Sequence, residues 1–481
     1  MLRLRPGILL AMVVSAWLGA CSQTASPAGA LPPAQVSGSR LQARVLTGPD
    51  GLTIPFGWMD SQLGTPCRIQ PAEDGAHRCL PDPVVSSFQI PDYSDAACTA
   101  PVIALSAFCP AHYGGDPPVF FASPTGYVPV TAKLSANTQA YFLKGGCDAF
   151  PLGTVQVYTV GAPLPVSAFA QASVVESSAS GGRLQPRYQI SDDGAQELIG
   201  IEDTMRGATC SPQPAADGTT RCLPDGTAAV DQFGDLYYAD PNCTQVAIAV
   251  GSGDPAAPPS VAYTVSGPPC ERRRIYALGA RQTLSTVYLQ QDGACVAFQI
   301  SGDYFVGDEI APTAFEALTF RDVGSGRIRE RVLVAATGQV VARGFAWLDS
   351  QLGVPVYPES IDGQNYALVP VSAGPPVYNT YFSDAACAQE ELLVEVTPDA
   401  CAALPSSYAV VSGATSPACS PPQVFPLGPP VNRQQVYGTE TGICALPKDA
   451  PSDPMVTQPE LHPLGPAVDT SAFVQVTVTV Q

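Results

Sequence analysis

Aspartate is the side chain that recurs most regularly at positions where chemistry could be done. One set of three follows strand-like stretches and another set precedes a cysteine by three positions; they are Asp60, Asp203 and Asp349, then Asp95, Asp240 and Asp384. Paired carboxylates can act as acid and base in glycoside hydrolysis, and carboxylate oxygens bind calcium. Aspartate also closes turns by hydrogen bonding to nearby backbone. Three copies of one turn are simpler than three copies of one active site, so we predict structural turns, with calcium binding and catalysis as alternatives.

Histidine, the commonest general base, is nearly absent. The chain has three histidines, His77, His112 and His462, and no HExxH, G-x-S-x-G, P-loop or CxxC pattern. Histidine-dependent triads and zinc sites need such clusters. We therefore expect no catalytic residues of this kind, no metal centre and no cofactor.

The cysteines form a regular framework. Fourteen of the fifteen cysteines follow Cys21, an even number, and even counts are typical of disulfides in exported chains. The pairs that recurring spacings predict are Cys67–Cys79 and Cys210–Cys222, Cys270–Cys295 and Cys419–Cys444, and Cys98–Cys109 and Cys387–Cys401. Val356 and Leu368 replace the first kind of pair later in the chain, which indicates a buried bridge exchanged for apolar side chains.

Two cysteines, Cys147 and Cys243, have no partner in this scheme. We predict a disulfide between them that joins two neighbouring parts of the chain, which requires Cα atoms within about 7 Å. Two free thiols, or a pairing that departs from the spacing pattern, are the alternatives.

Tryptophan and arginine supply the remaining candidates. Trp58 and Trp347 could stack on sugars, but Ile201 stands at the matching place between them, which favours a core position. Three recurring arginines precede the first set of aspartates and are expected to form structural ion pairs with them. They are Arg40, Arg183 and Arg327.

The elements that position these residues are predicted to be strands. Fifty prolines and forty-three glycines leave little room for long helices. Residues 154–160 and 473–480 alternate between apolar and polar types, and Asp-Gly turns recur between such stretches. We therefore predict an all-β fold of antiparallel strands stapled by disulfides.

The rest of the chain is predicted to consist of three sequence repeats of one unit. Arg40, Arg183 and Arg327 lie 143 and 144 residues apart, and similar motifs follow each of them. We divide the chain into units at residues 37–176, 177–322 and 323–481. We expect three tandem β-rich units, with a single propeller-like assembly of meanders as the alternative.

The N-terminus is predicted to direct the protein to the membrane. Arg3 and Arg5 precede a short apolar run that ends in Leu18-Gly19-Ala20-Cys21. This resembles the lipobox of bacterial lipoproteins, which implies cleavage after residues 1–20 and a lipid on Cys21. Ser22 is not the aspartate associated with inner-membrane retention, so the resemblance implies an outer-membrane location. Residues 21–36 are expected to form a flexible tether.

Composition narrows the function classes. The net charge of −19 argues against nucleic acid as a partner, and 46% hydrophobic residues exclude a disordered chain. The three units resemble a repeat of uncharacterised exported bacterial proteins, which implies an envelope location and no particular activity. We expect a non-enzymatic envelope protein that is bound to the membrane through its lipid and takes a protein or glycan ligand. A carbohydrate-active hydrolase using a carboxylate pair and a calcium-stabilised adhesion module are the alternatives.

Overall fold

A computed structural model describes most of the chain from residue 31 onward. The described ranges are 31–82, 85–86, 92–106, 120–123, 126–135, 139–143, 146–149, 155–176, 182–225, 228–229, 237–249, 261–266, 272–291, 293–300, 302–362, 364–373, 381–382, 390–391, 393–396, 407–411, 422–431, 437–440, 443–445 and 460–481. Within these ranges the chain forms strands, turns and short 3-10 turns and no α-helix. The prediction of an all-β fold is confirmed.

Fourteen strands lie in the first third of the chain. They are β1 (Gln35–Val36), β2 (Leu41–Thr47), β3 (Thr53–Asp60), β4 (Thr65–Pro71), β5 (His77–Pro81), β6 (Val85–Ser86), β7 (Asp92–Tyr93), β8 (Pro101–Ser106), β9 (Phe120–Ser123), β10 (Gly126–Lys133), β11 (Tyr141–Leu143), β12 (Cys147–Ala149), β13 (Val155–Val160) and β14 (Gln171–Glu176). The 3-10 turns are Pro49–Gly51 and Val166–Ala168.

The middle third contains thirteen strands. They are β15 (Leu184–Ser191), β16 (Gln196–Asp203), β17 (Ala208–Pro214), β18 (Thr220–Pro224), β19 (Ala228–Ala229), β20 (Tyr237–Tyr238), β21 (Gln245–Ala249), β22 (Val261–Ser266), β23 (Arg272–Leu284), β24 (Val287–Gln291), β25 (Ala294–Phe298), β26 (Gly302–Ile310) and β27 (Leu318–Val323). A 3-10 turn, Pro312–Ala314, precedes β27.

The last third contains thirteen more. They are β28 (Ile328–Ala335), β29 (Val340–Asp349), β30 (Val354–Ser360), β31 (Asn365–Pro370), β32 (Tyr381–Phe382), β33 (Glu390–Glu391), β34 (Leu393–Val396), β35 (Tyr408–Val411), β36 (Gln423–Pro426), β37 (Tyr437–Glu440), β38 (Ile443–Ala445), β39 (Glu460–Pro463) and β40 (Val474–Val480). The 3-10 turn Thr470–Ala472 precedes β40.

One 16-stranded sheet runs through all three parts of the chain. Its path takes β2 to β5, then β14, then β15 to β18; on the other side of β2 it takes β40, then β31 back to β27. The two ends of this path meet, because Arg221 bridges Ala317 and the Cys222 N–H donates to the Glu316 carbonyl at 3.0 Å. The sheet therefore closes on itself, and three four-stranded meanders alternate with single returning strands.

The chain between each meander and its returning strand forms separate sheets. The first insertion builds an eight-stranded sheet from β6 to β13, and the second builds another from β19 to β26. The third contributes a four-stranded sheet and two strand pairs, made from β32 to β39. Between the described strands, all pairings are antiparallel except the short contacts of β6 with β9 and of β19 with β22.

The core of the closed sheet includes three matching apolar clusters. Each contains one pair of positions that the sequence aligned: Cys67 with Cys79, Cys210 with Cys222, and Val356 with Leu368. Burying such side chains contributes roughly 1.5–3 kcal/mol each. The same places in the three meanders therefore build the core whether they carry sulfur or aliphatic groups.

The folded body begins before residue 37. β1 pairs with β16, the Leu198 N–H donates to the Ala34 carbonyl at 2.9 Å, and Arg343 Nη1 donates to the Pro32 carbonyl at 3.3 Å. Residues 31–36, which the sequence assigns to the tether, thus lie on the body. They do so because their backbone groups complete hydrogen bonds that β16 and Arg343 offer. Within the described residues, no helix has the length and apolar character needed to cross a membrane.

Candidate functional site

The recurring arginines and aspartates meet in three matching ion pairs. The Nη2–Oδ2 distances are 2.7 Å for Arg40–Asp60, 2.5 Å for Arg183–Asp203 and 2.7 Å for Arg327–Asp349. In each pair the arginine Nε also donates to the carboxylate, which gives a two-pronged contact. The ion pairs expected from the sequence are present at all three places.

Each ion pair also holds the chain that returns from an insertion. The three guanidinium groups donate to the carbonyl oxygens of Ala168, Ala314 and Ala472 at 2.7, 2.8 and 3.4 Å. These alanines end the 3-10 turns that precede β14, β27 and β40, and the phenylalanine that follows each of them is buried. Sequence reasoning missed this third member, although Ser/Thr-Ala-Phe at 167–169, 313–315 and 471–473 is a signal that could have found it.

The aspartates of these pairs are buried and hydrogen-bonded within the fold. Asp60, Asp203 and Asp349 are at most 1% exposed. Asp60 Oδ1 also accepts the backbone N–H groups of Gln62 and Leu63 at 3.0 and 3.1 Å. A carboxylate with this many donors and no contact with solvent closes a turn, as predicted.

The second set of aspartates closes a different, exposed turn. Asp95 accepts the backbone N–H and the hydroxyl of Thr99 at 2.8 and 2.6 Å, and Asp240 accepts the same groups of Thr244 at 2.8 and 2.9 Å. The hydrogen bonds from Thr99 hold the pKa of Asp95 below its ordinary value. Asp60 and Asp95 therefore lie in separate turns, and Asp384 lies outside the described residues.

The disulfides follow the strand register and correct part of the sequence scheme. Cys67–Cys79 and Cys210–Cys222 are bonded, as their spacing predicts. Cys98 pairs with Cys147, and Cys243 pairs with Cys295, with Cα atoms 5.8 Å apart in both. The predicted pairs Cys98–Cys109, Cys270–Cys295 and Cys147–Cys243 are therefore wrong.

The physical reason for this correction is strand pairing. Tyr93 pairs with Tyr141 and Leu143 with Cys147, which brings the end of the first insertion beside the Asp95 turn. Tyr238 pairs with Tyr288 and Gln290 with Cys295 in the same way. Spacing along the chain does not reveal such neighbours. Cys109, Cys270, Cys387, Cys401, Cys419 and the side chain of Cys444 lie outside the described part of the chain, as does Cys21.

Where two meanders meet, the turn after the first strand of one meander contacts the loop that precedes the first strand of the other. We name these contacts by the residue at the turn. At the Asp193 seam, Asp193 Oδ2 accepts the backbone N–H groups of Arg40 and Leu41 at 2.5 and 2.6 Å. At the Gln339 seam, a Cβ on Gly182 would lie 2.9 Å from Gln339 Oε1. At the Asp50 seam, a Cβ on Gly326 would lie 3.0 Å from Asp50 Oδ2.

The Asp50 seam contains a cleft. Its volume is about 260 Å³. Its walls include Leu31, Asp50, Leu52, Glu330, Arg343 and Trp347. Glu330 and Arg343 form an ion pair with an Nη2–Oε2 distance of 2.6 Å.

The two tryptophans occupy different surroundings. Trp58 is completely buried, and its Nε1–H donates to Glu197 Oε2 at 2.9 Å. Burial raises the pKa of Glu197 above its ordinary value, although the hydrogen bond from Trp58 opposes the shift. Trp347 is partly buried, packs in the cluster that contains Ile54 and lines the cleft. The core position predicted for both is observed in full only for Trp58.

A family model matches residues 33–132 and 135–473. It describes a family of unknown function, DUF7481. The chain belongs to the DUF7481 family. The match covers the closed sheet up to the start of β40, together with the three insertions. No curated protein and no solved structure matched this DUF7481 chain.

Histidine takes peripheral positions in this DUF7481 protein. His77 begins β5 and is partly buried, and His462 contacts the Gly428 carbonyl through Nδ1 at 2.8 Å and Glu460 through Nε2 at 3.1 Å. His112 lies outside the described residues. Among the described residues, no group of three or more His, Cys, Asp or Glu side chains is placed to hold a metal ion.

Proposed function

We propose that the protein is a lipid-anchored envelope protein that binds or scaffolds a ligand at the outer membrane or cell surface without chemical turnover. In this proposal the body is three copies of one unit. The observation that carries it is the use of the recurring charges: the three Arg–Asp pairs tie meanders to returning strands, and Asp95 and Asp240 close turns. Because these recurring charged residues stabilise the fold, they favour a structural framework over a repeated active site.

The anchor in this proposal is a lipid on Cys21, supported by the lipobox Leu18-Gly19-Ala20-Cys21. Several acyl chains on one residue give stable membrane binding. Because residues 31–36 lie on the body, the linker consists of residues 22–30 only. A chain spans at most about 3.3–3.6 Å per residue, so the body stays within roughly 35 Å of the bilayer. The Asp50 seam is beside Leu31 and therefore lies next to the point where the linker joins the body.

Membrane fractionation of two variants tests the anchor. Cys21→Ser removes the only thiol that the lipobox can modify, and we expect it to leave the membrane pellet after a carbonate wash. Ser22→Asp is the matched control, because it keeps Cys21 and adds the inner-membrane retention signal that the resemblance implies. We expect this control to stay membrane-bound and to move to the inner-membrane fraction. Quantitative retention of Cys21→Ser in washed membranes would rule out the lipid anchor.

Turnover assays separate binding from the hydrolase alternative. Two carboxylates, Asp50 and Glu330, line the cleft at the Asp50 seam, so envelope polysaccharides are the substrates to incubate with the purified chain. We expect no release of reducing ends. If reducing ends are released and Asp50→Gly abolishes the release, the protein is a hydrolase and not a binding protein. If the wild type and Asp50→Gly both retain protein partners from membrane extracts, the result supports scaffolding.

A further inference from the structure

The Asp50 seam differs from the Asp193 seam in the hydrogen bonds that its carboxylate accepts. At the Asp193 seam the carboxylate is filled by two backbone N–H groups, by Ser191 and by the Ala195 N–H. Asp50 occupies the matching turn at a positive φ of 58°. Its carboxylate accepts no hydrogen bond from any residue that the structure describes, and it borders the cleft.

The tryptophan of this seam is also left with an unused donor. Glu197 follows Gly194 by three positions and accepts the Trp58 Nε1–H. Ile54 follows Gly51 by the same interval and packs in the cluster with Trp347, so an aliphatic group stands where the other seam offers an oxygen. The indole N–H of Trp347 has no acceptor within the described ranges.

The other charged side chains that line the cleft are Arg327, Glu330 and Arg343, and each is held in an ion pair; the partner of Arg327 is Asp349. Glu330 accepts both prongs of Arg343 at 2.8 and 2.6 Å and the backbone N–H of Gly344 at 3.0 Å. Arg343 also donates to Pro32. Their charges cancel, so a ligand meets one free carboxylate, one free indole N–H and apolar surface from Leu52 and Val474.

We propose that this cleft binds a single sugar ring, which deepens the proposed binding role and rests on it. The hydroxyls of a sugar donate to Asp50, its oxygens accept the Trp347 N–H, and its C–H face lies on Leu52 and Val474. A quaternary ammonium ion satisfies Asp50 but gives the indole N–H no acceptor. Phosphate faces repulsion from Asp50. The volume of about 260 Å³ is below the usual range of roughly 300–1,000 Å³ for larger ligands, which fits one ring.

The protein offers two natural reporters for a test. Its three tryptophans are Trp17, Trp58 and Trp347, and Trp17 lies in the predicted signal peptide. The processed chain labelled with fluorotryptophan therefore gives two fluorine NMR resonances, which Trp58→Phe assigns. Glucose, galactose, mannose and N-acetylglucosamine are titrated separately to about 50 mM, well above the roughly millimolar Kd of a weak site. We expect at least one of them to shift the Trp347 resonance and leave the Trp58 resonance in place.

Two variants locate the site. Asp50→Gly removes the carboxylate and suits the positive φ, so the fold is retained and we expect binding about tenfold weaker or lost. Asp192→Asn, the matched control, changes one exposed carboxylate in the corresponding turn of the Asp193 seam and should leave binding unchanged.

Three results would overturn the sugar site: no response of Trp347 to any of the four sugars, equal responses of Trp347 and Trp58, or a shift that Asp50→Gly leaves intact. A shift produced by tetramethylammonium or phosphate and by no sugar would overturn the ligand class. Loss of the sugar site would leave the anchor and scaffold proposals standing, because fractionation and partner retention test those independently.

Discussion

The first and third meanders build the same part of the closed sheet with different chemistry. In the first, Cys67 and Cys79 are bonded, and the neighbouring Arg78 binds the Phe169 carbonyl at 2.8 Å and Asp74 at 2.8 Å. In the third, Val356 and Leu368 are buried at the matching places. Ala367 stands where Arg78 would be and is completely buried. A disulfide with a charged neighbour and a purely apolar pair of side chains are therefore alternative ways to fill the same place in the sheet.

The Arg–Asp pairs are what the two meanders have in common, and their loss should have the largest effect. Asp60→Ala leaves Arg40 with an uncompensated charge in a mostly buried place, and breaking such a pair costs about 3–5 kcal/mol. We expect Asp349→Ala to cost the same, because Asp349 is equally buried and also binds its arginine in two places.

Urea unfolding followed by intrinsic fluorescence measures both variants, and Asp95→Ala serves as the control. That side chain closes an exposed turn, so its loss should destabilise the fold much less than the loss of a buried ion-pair partner. If Asp60→Ala were as stable as Asp95→Ala, the pairs would not be the shared framework.

Exchange of the bridge for the residues of the third meander tests the comparison directly. Cys67→Ala with Cys79→Ala loses about 3 kcal/mol of chain-entropy stabilisation and opens a cavity. Cys67→Val with Cys79→Leu copies the third meander and regains apolar burial. We therefore expect the copied pair to unfold at a urea concentration between those of the wild type and the double alanine. A copied pair less stable than the alanine pair would show that the first cluster cannot accept the third cluster's packing.

How much the sequence could predict depends on whether a feature is local. The Arg40–Asp60 partnership and the apolar replacement at Val356 and Leu368 were accessible, because each lies within one meander at a fixed spacing. The Cys98–Cys147 bond was not, since it depends on which strands of the insertion lie side by side. The closure of the sheet and the different seams around Asp50 and Asp193 were also beyond reach, because they arise between meanders that are about 143 residues apart.

The arginine beside the bridge should contribute less than the bridge itself. Arg78→Ala copies Ala367 and removes one hydrogen bond to a buried carbonyl and one partly exposed ion pair. We expect a loss of about 1–2 kcal/mol, most of it from the unsatisfied Phe169 carbonyl. Arg78→Lys keeps the charge but not the two-sided contact, so it should recover little of the loss. Thermal unfolding of the two variants side by side checks this, and full recovery by lysine would contradict the hydrogen-bond explanation.

The smallest effect concerns Glu197, whose carboxylate accepts the Trp58 N–H. At the corresponding place beside Trp347 of the third meander stands Ile54 of the first meander. Burial raises the pKa of Glu197 in the folded protein above its value in the unfolded chain. The protonated form is thus favoured by folding, so this contribution to stability is complete below the unfolded pKa of about 4.3 and declines as the pH rises through the folded pKa. Glu197→Gln keeps an oxygen for the Trp58 N–H and removes the titration. We expect the variant to melt at a higher temperature than the wild type at pH 7 and the difference to shrink toward pH 4. Thermal melts across this range check the sign, and a variant that is less stable at pH 7 would mean that the ionised carboxylate, through Trp58 and Arg68, stabilises the fold despite its burial.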